Sequence, residues 1–523
     1  GDLLLEMELV NERDLVQTLA EQQDIPYIEP EVGMIDPTLL RGVSIEYLTQ
    51  NAAIPFSRIG NTLTVVVDNP FNTHLLMTLK DTFKCDVKLA LCSRDKILQV
   101  LEDFRTMSMD VDNWAGHVDD DEKVVEIVNC LIRSAIQERA SDIHLEPMAN
   151  RLRVRYRIDG VLIHKTDLPL ELLNKINTRL KVTAEMDITE SRRHQDGRAL
   201  FDYGNIEVDL RLSFYTTVHG QNCVIRILNR GVSLVGLEEL GMNSRMMTRY
   251  IDYVLDVPSG VVVVTGPTGS GKTTTLYSSL DYCNDTSRKI ITVEDPVEYQ
   301  IEGIMQCSVD TKIGRTFHDS LKSVVRQDPD IVVLGEIRDA ESAGVAVEAA
   351  LTGHKVFSTF HTEDSIGAIL RLTDMKIETF LIASTLQAIV AQRLVRRICP
   401  DCKEAYRPTD LELQKLGVTR DYLKGYQTFK GRGCQACHNT GYSGRVGVYE
   451  MLILNEEVRG AILQRAQSSA LRNIAVNTAD LTTMQEDGIT KVVRGLTTIE
   501  EILDEAPRGF GMRPIDKLIE LNG

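Results

Sequence analysis

The chain has 523 residues, 43% of them apolar, with 58 basic against 76 acidic side chains and a formal net charge of −18. That length exceeds one ordinary core and predicts about three or four domains. The acidic balance excludes a general attraction for nucleic acid or anionic lipid, so any such contact has to be local. No apolar run approaches the ~20 residues that span a bilayer. The opening residues, Gly1-Asp2-Leu3-Leu4-Leu5-Glu6, carry no basic signal-peptide start, so a soluble protein is expected.

From Leu3 to Gln22 the apolar side chains recur at helical spacing, with Asn11 as a cap between two short helices and Glu12 and Asp14 in the second one's first turn. Thr62 to Val67 (TLTVVV) reads as a strand that Asp68-Asn69-Pro70 ends, and helices are expected near Thr73 to Thr82 and Arg94 to Phe104. Residues 1–104 therefore read as a small α/β domain. Residues 105–121 are polar, acidic and without periodicity, a linker in which Trp114 is an incidental aromatic.

An amphipathic helix from Glu122 leads into Ser141-Asp-Ile-His-Leu-Glu-Pro147 and then Arg151-Leu-Arg-Val-Arg-Tyr-Arg-Ile158. Strand side chains alternate, so Arg151, Arg153, Arg155 and Arg157 share one face, and Asp159-Gly160 makes a hairpin turn. The arginine row reads first as a solvated sheet face, although it also suits a subunit contact or the far side of a bound phosphate. Arg211 and Arg226 each interrupt a strand-like run, which makes each either exposed or aimed at an anion. Residues 122–232 form a second α/β domain, and Gly231 to Gly241 a short connection onward.

Gly260-Val-Val-Val-Val-Thr-Gly-Pro-Thr-Gly-Ser-Gly-Lys-Thr-Thr-Thr275 then reads as a buried strand, a glycine-rich loop and a helix start in succession. Within it Gly266, Pro267, Thr268, Gly269, Ser270, Gly271, Lys272, Thr273 and Thr274 make a phosphate-binding loop. Glycines let backbone N–H groups face an anion, the lysine reaches the terminal phosphates, and the Thr273 hydroxyl ligates Mg²⁺. Strand and helix alternate afterwards, predicting a parallel sheet covered on both faces. Three later strands end at Glu294, at Gly335-Glu336 and at His361, on the edge where ligands bind in open α/β folds. Phosphoanhydride hydrolysis needs a metal and a group that positions water. Glu294 is the candidate for the water, Glu336 for the Mg²⁺ shell, directly or through water, and His361 for sensing the terminal phosphate. Gly335 stands where many such ATPases carry a metal-site Asp, which leaves the division of labour between the two glutamates open. Asp295 and Glu298 also fit cap or salt-bridge roles, and His354 an ordinary loop histidine.

Six of the ten cysteines are scattered, whereas Cys399, Cys402, Cys434 and Cys437 form two close pairs. This pattern fits a reduced cytosolic chain with one closed, structural Zn²⁺ site, and a redox role for either pair is the weaker alternative. The Pro and Gly of the last stretch, from Ala506 to Gly523, suggest a loose end.

Ser141 to Pro147, the phosphate loop, Val293 to Glu298, Gly335 to Asp339, Thr352 through Thr362 and the four cysteines together resemble the GspE/PilB family of secretion and type IV pilus assembly ATPases, over nearly the whole chain. The resemblance implies a RecA-like ATPase domain over 233–523 with an inserted zinc module over 396–443, preceded by a PAS-like α/β domain and an N-terminal α/β docking domain. It maps the family's Asp box to Glu294 and its neighbours, its Walker B box to Glu336 and its His box to His354 through His361. The family's nucleotide-facing arginines match Arg198, Arg211 and Arg226, with Arg211 and Arg226 the preferred pair; His219-Gly220-Gln221 departs from the family where an acidic residue is usual.

The same resemblance implies a homohexamer that uses ATP, Mg²⁺ and Zn²⁺ on the cytoplasmic face of a bacterial inner membrane, with a membrane platform and a docking protein as partners. Its expected work is pilus or pseudopilus assembly, since retraction ATPases usually lack both the zinc knuckles and the long N-terminal region. The opening helices resemble a domain that in some relatives binds cyclic di-GMP, although the Arg-Leu expected before them is not in the sequence. A nucleic-acid translocase is the rival, disfavoured by the acidic balance and by the lack of a continuous basic, aromatic-rich groove. A non-hydrolysing scaffold is disfavoured by the complete set Lys272, Glu294, Glu336 and His361.

Overall fold

A computed structural model of the chain describes residues 12–23, 25–30, 39, 43–59, 62–108, 121–203, 206–229, 234–310, 313–507 and 511–522. Asn11, Trp114 and most of the expected linker lie outside the described residues. The chain divides into two compact units, Gly1–Gly231 and Val232–Gly523.

The first unit holds two sheets, each with its own core. Strands β1 (Ala53–Ile59), β2 (Thr62–Val67) and β3 (Asp86–Leu91) pair in that order, and helices Glu12–Gln23, Thr73–Phe83 and Arg94–Ser108 accompany them. The last helix runs past residue 104, where the domain was expected to end. Val16, Leu63, Val65, Leu75, Leu79 and Ile97 meet in one buried cluster.

The second sheet is antiparallel, in the order β6-β5-β4-β9-β8-β7. Its strands are β4 (Asp142–Pro147), β5 (Leu152–Ile158), β6 (Val161–Leu168), β7 (Gln195–Tyr203), β8 (Ile206–Thr217) and β9 (Gly220–Asn229). Asp159 and Gly160, at φ 49° and 90°, make the expected two-residue turn between β5 and β6. One face packs its alternate side chains, among them Ile143, Val154, Tyr156 and Phe214, into a core shared with Ile127, Leu131, Ile176 and Leu180 of helices Asp121–Gln137 and Leu172–Thr183.

The other face corrects the reading of the arginine row as a solvated surface. Strands β4 and β6 flank β5 and oppose it with acids: Arg153 and Arg155 both bond Glu146 of β4, Arg157 lies 3.7 Å from Asp142 of β4, and Arg151 lies 3.3 Å from Asp167 of β6. Each guanidinium is paired within the sheet because strand pairing set carboxylates against it, an arrangement that the β5 sequence alone does not contain. The same face carries a cross-strand row in which Arg157 opposes Asp142, Asp142 opposes Arg226, Arg226 opposes Arg211 and Arg211 opposes Arg198.

In the second unit seven strands pair in the order β12-β11-β13-β14-β10-β15-β18. They are β10 (Gly260–Thr265), β11 (Ile290–Glu294), β12 (Met305–Ser308), β13 (Ile331–Leu334), β14 (Lys355–Phe360), β15 (Leu386–Ile398) and β18 (Tyr442–Ile453), with β16 (Lys403–Tyr406) and β17 (Thr428–Gly431) forming a separate pair. All the main-sheet pairings are parallel except β15 with β18. Every residue of β10, β11, β13 and β14 is buried. Alternate residues feed opposite faces: Val261 and Val263 enter one cluster, Val262 and Val264 another, which is why this strand reads as an unbroken apolar run.

The C-terminal stretch is not a loose end. Helix Ile515–Asn522 buries Ile515 and Leu518 in a cluster with Met484, Ile489 and Ile502, and Arg513 donates from two nitrogens to the Glu486 carboxylate.

Candidate active site and metal centre

The phosphate loop joins β10 to helix Lys272–Cys283. Gly266 has φ 154°, and a Cβ there would sit 2.5 Å from both Gln392 O and Ser270 Oγ, so the loop's first residue has no room for a side chain. Thr268, Gly269 and Thr273 are exposed, and Lys272 is half-buried with Nζ 2.8 Å from Gly266 O and 3.0 Å from Pro267 O. Burial draws the Lys272 ammonium down to about 8; the Glu336 carboxylate pulls the other way, and Arg393 adds to the lowering. An arriving phosphate meets a cation whose charge the protein only partly balances.

Strand order decides which acids share this edge. Next to β10 lies β14, then β13, then β11. At about 4.8 Å per strand, the end of β13 is roughly 10 Å from β10 and the end of β11 roughly 14 Å. Glu336, just past β13, has Oε2 3.3 Å from His361 Nε2 and accepts on Oε1 from Arg338, which also lies 3.5 Å from Asp295. Lys272, Glu336 and His361 thus form one group.

Glu294 does not join it. Its carboxylate is buried and accepts from Tyr277 on one oxygen and from Thr292 and Gln306 on the other, the last at 3.3 Å. Gly335 is glycine for a local reason: its N–H donates to Val293 O at 2.8 Å, and a Cβ would crowd that oxygen at 3.1 Å and Glu294 Cα at 3.3 Å. His354 takes the structural role allowed for it, with Nδ1 2.9 Å from Ala349 O at the end of helix Ala340–Leu351.

Three residues acquire positions here that their sequence context did not suggest. Gln392, buried in β15, donates to Ser270 O at 2.7 Å and accepts from Thr275 Oγ1 at 2.8 Å, bracing the loop from the adjoining strand. Arg393 is buried beside it in the chain, and Tyr277 holds Glu294. The available signal was a Gln-Arg pair inside the apolar run of β15, two polar side chains where burial demands partners.

The four cysteines come together where β15 and β18, an antiparallel pair, open at their far end. Their sulfurs lie within 4.8 Å of one another, with Cys399 to Cys434 at 3.8 Å, Cys402 to Cys437 at 3.9 Å and Cys434 to Cys437 at 3.6 Å. Tetrahedral Zn²⁺ with Zn–S bonds of about 2.3 Å sets sulfurs about 3.8 Å apart, so the donor set fits that ion. Gly433 N donates to Cys402 Sγ at 3.3 Å and Gly441 N to Cys437 Sγ at 3.3 Å, bonds that favour thiolates.

Residues 117–504 match the family described as type II/IV secretion system protein, and residues 23–109 match the MshEN domain. The type II secretion system protein E of Xanthomonas campestris is 38% identical over 522 residues, covering 96% of this chain and 92% of that protein. The chain belongs to the type II/IV secretion system protein family. The type IV pilus assembly ATPase PilB of Myxococcus xanthus is 35% identical over 535 residues, covering 98% of this chain and 94% of that one. The Legionella pneumophila ATPase DotB shares the fold, with a TM-score of 0.52 at 20% identity over 72% of this chain and 94% of that chain. This family member is an ATPase of pilus or pseudopilus assembly, with a parallel-sheet motor core as its resemblance implied.

Proposed function

We propose that the protein is the hexameric motor of a type II secretion or type IV pilus assembly machine, hydrolysing ATP and passing the resulting domain motion to an inner-membrane platform that adds pilin-like subunits to a fibre. The convergence of Lys272, Glu336 and His361 on the phosphate-loop edge carries this reading. Relatives from both systems match more than nine-tenths of the chain, so the two machines stay together in it. Among the described residues no helix is long and apolar enough to cross a membrane, and attachment to the inner face of the membrane is assigned to partners.

Within the site we reassign the water from Glu294 to Glu336. Glu336 positions the attacking water, because its carboxylate lies 3.3 Å from His361 Nε2 and acts on the charge of Lys272. Glu294 secures the end of β11, because its oxygens already accept from three side chains. Loop amides and Lys272 hold the β- and γ-phosphates, and His361 reads the γ-phosphate beside Glu336. Mg²⁺ fits at Thr273, exposed in the first helical turn, where it would neutralise phosphate charge. Arg338 holds one oxygen of Glu336 and His361 Nε2 lies 3.3 Å from the other, which disfavours Glu336 as its direct ligand. Arg211 and Arg226, with Arg198 in the same cross-strand row, are assigned to the nucleotide. The four cysteines are assigned to structural Zn²⁺. The MshEN match supports residues 1–104 as a regulatory or docking domain that takes cyclic di-GMP.

Light scattering with a non-hydrolysable ATP analogue tests the assembly, with six chains per particle expected, and in a separate assay with ATP phosphate release should be stimulated by the platform's cytoplasmic part. A chain that stays monomeric with nucleotide overturns the hexamer, and stimulation by single-stranded DNA at physiological salt instead of by the platform overturns the motor. Calorimetric titration of the protein with cyclic di-GMP should release heat at micromolar concentration; a flat titration removes that ligand from the reading.

A further inference from the structure

We propose that Arg338 is a positioning residue for hydrolysis, aiming the Glu336 carboxylate at the phosphate loop by holding one of its two oxygens. This rests on the assignment of Glu336 to the attacking water.

The geometry is specific. Arg338 Nη2 donates to Glu336 Oε1, while Glu336 Oε2 lies 3.3 Å from His361 Nε2, so each oxygen of the carboxylate has its own direction. The other arm of the same guanidinium reaches Asp295 at 3.5 Å. Asp295 and Glu336 stand past the ends of the neighbouring strands β11 and β13, close enough for their charges to repel, and Arg338 is the cation shared between them. A planar fork with fixed N–H directions can serve two carboxylates and set the rotation of one, which a single ammonium on a flexible stem cannot do equally well.

The surroundings give the carboxylate somewhere else to go. A cavity of about 270 Å³ adjoins Glu336 and Arg338 and runs beneath Thr316, Phe317, His318 and Leu321 at the start of helix Phe317–Val324. Without the guanidinium no cation stands between Glu336 and Asp295, and the open cavity lets the Glu336 carboxylate leave its present orientation. An exposed ion pair with only a structural role would contribute little to stability and would leave catalysis alone. The side chain of Arg338 is 65% exposed whereas that of Glu336 is 21% exposed, so the two readings differ most in turnover and least in stability.

Arg338→Ala, Arg338→Lys, Glu336→Gln and the double variant Arg338→Ala/Glu336→Gln separate them by steady-state kinetics, with melting temperature as the check on folding. The expected result for Arg338→Ala is a kcat about 10- to 100-fold lower with KM for ATP within about 3-fold, the scale of a misplaced catalytic group. Arg338→Lys should recover part of the loss, and in the Glu336→Gln background removing Arg338 should lower the residual rate no further. The inference is overturned if Arg338→Ala keeps kcat within about 2-fold, if its loss appears in KM, or if the two substitutions add. If Glu336→Gln itself retains full turnover, the assignment of Glu336 fails as well. If Glu336→Gln collapses while Arg338→Ala does not, only the role of Arg338 is lost.

Discussion

Glu336→Gln should keep nucleotide binding and lose turnover by about 10²- to 10⁴-fold, the range contributed by a positioned acid or base. Lys272→Ala should lose binding and turnover together. The two fail differently because they act on different atoms. Lys272, at the first turn after the loop, is the fixed cation for the terminal phosphates, and its own charge is costly where it stands, since burial draws it down to about 8. Removing it takes away attraction in both ground and transition states. Glu336 is isosteric with Gln and keeps neighbours that donate to an oxygen, so the substitution changes basicity and charge with little change in shape. Glu294→Gln is the control: a side chain clamped by Tyr277, Thr292 and Gln306 should show its loss mainly as a lower melting temperature. Fluorescent-nucleotide binding beside phosphate release measures all three. If Glu294→Gln is the variant that binds ATP without hydrolysing it, the reassignment falls.

Stripping zinc should loosen the cysteine knuckles between β15 and β18 while leaving the phosphate loop able to bind nucleotide. The cysteines form a small cluster of their own, whereas Leu413, Leu416 and Leu423 of the same segment pack into the C-terminal core, so it is the knuckles that depend on the metal. Structural Zn²⁺ supplies about 10–16 kcal/mol to such folds at neutral pH. Sulfur separations of 3.6–3.9 Å exceed the about 2.05 Å of a disulfide, which favours the ion. Gln392, by contrast, belongs to the part of β15 paired with β10, where Val390 and Ala391 stand opposite Val264 and Thr265. Its grip on Ser270 and Thr275 does not pass through the cysteines. Elemental analysis should find about one zinc per chain in protein purified under reducing conditions, and Cys402→Ser should lose it and become protease-sensitive within residues 399–441. A metal-free protein with four free thiols and the same protease resistance would end the zinc assignment.

Much of this molecule was legible in its sequence because the relevant interactions are local. The phosphate loop has to be glycine-rich within a few residues of its lysine, Asp159-Gly160 has to turn where two positive φ angles are needed, and paired cysteines three apart announce a metal knuckle. The alternate burial of Val261 to Val264 is equally local, since a strand covered on both faces is built mostly from apolar residues. Pairing partners were not legible. The arginine row of β5 resembled a solvated face until β4 brought Glu146 and Asp142 beside it, and the tail resembled a loose end until Leu518 found its cluster. Gln392 and Arg338 were likewise silent, because each derives its position from residues distant in the chain or from strand geometry.

By itself the sequence established a nucleotide-binding motor with a cysteine-ligated metal centre, since loop, strand and knuckle are each written in consecutive residues. Only the tertiary structure separated the two glutamates. Glu294 ends the first strand after the loop helix and was the candidate for the water. The sheet, however, inserts β13 and β14 between β11 and β10, because parallel crossovers choose spatial neighbours independently of chain order. That order puts Glu336 with Lys272 and His361 and leaves Glu294 inside the protein.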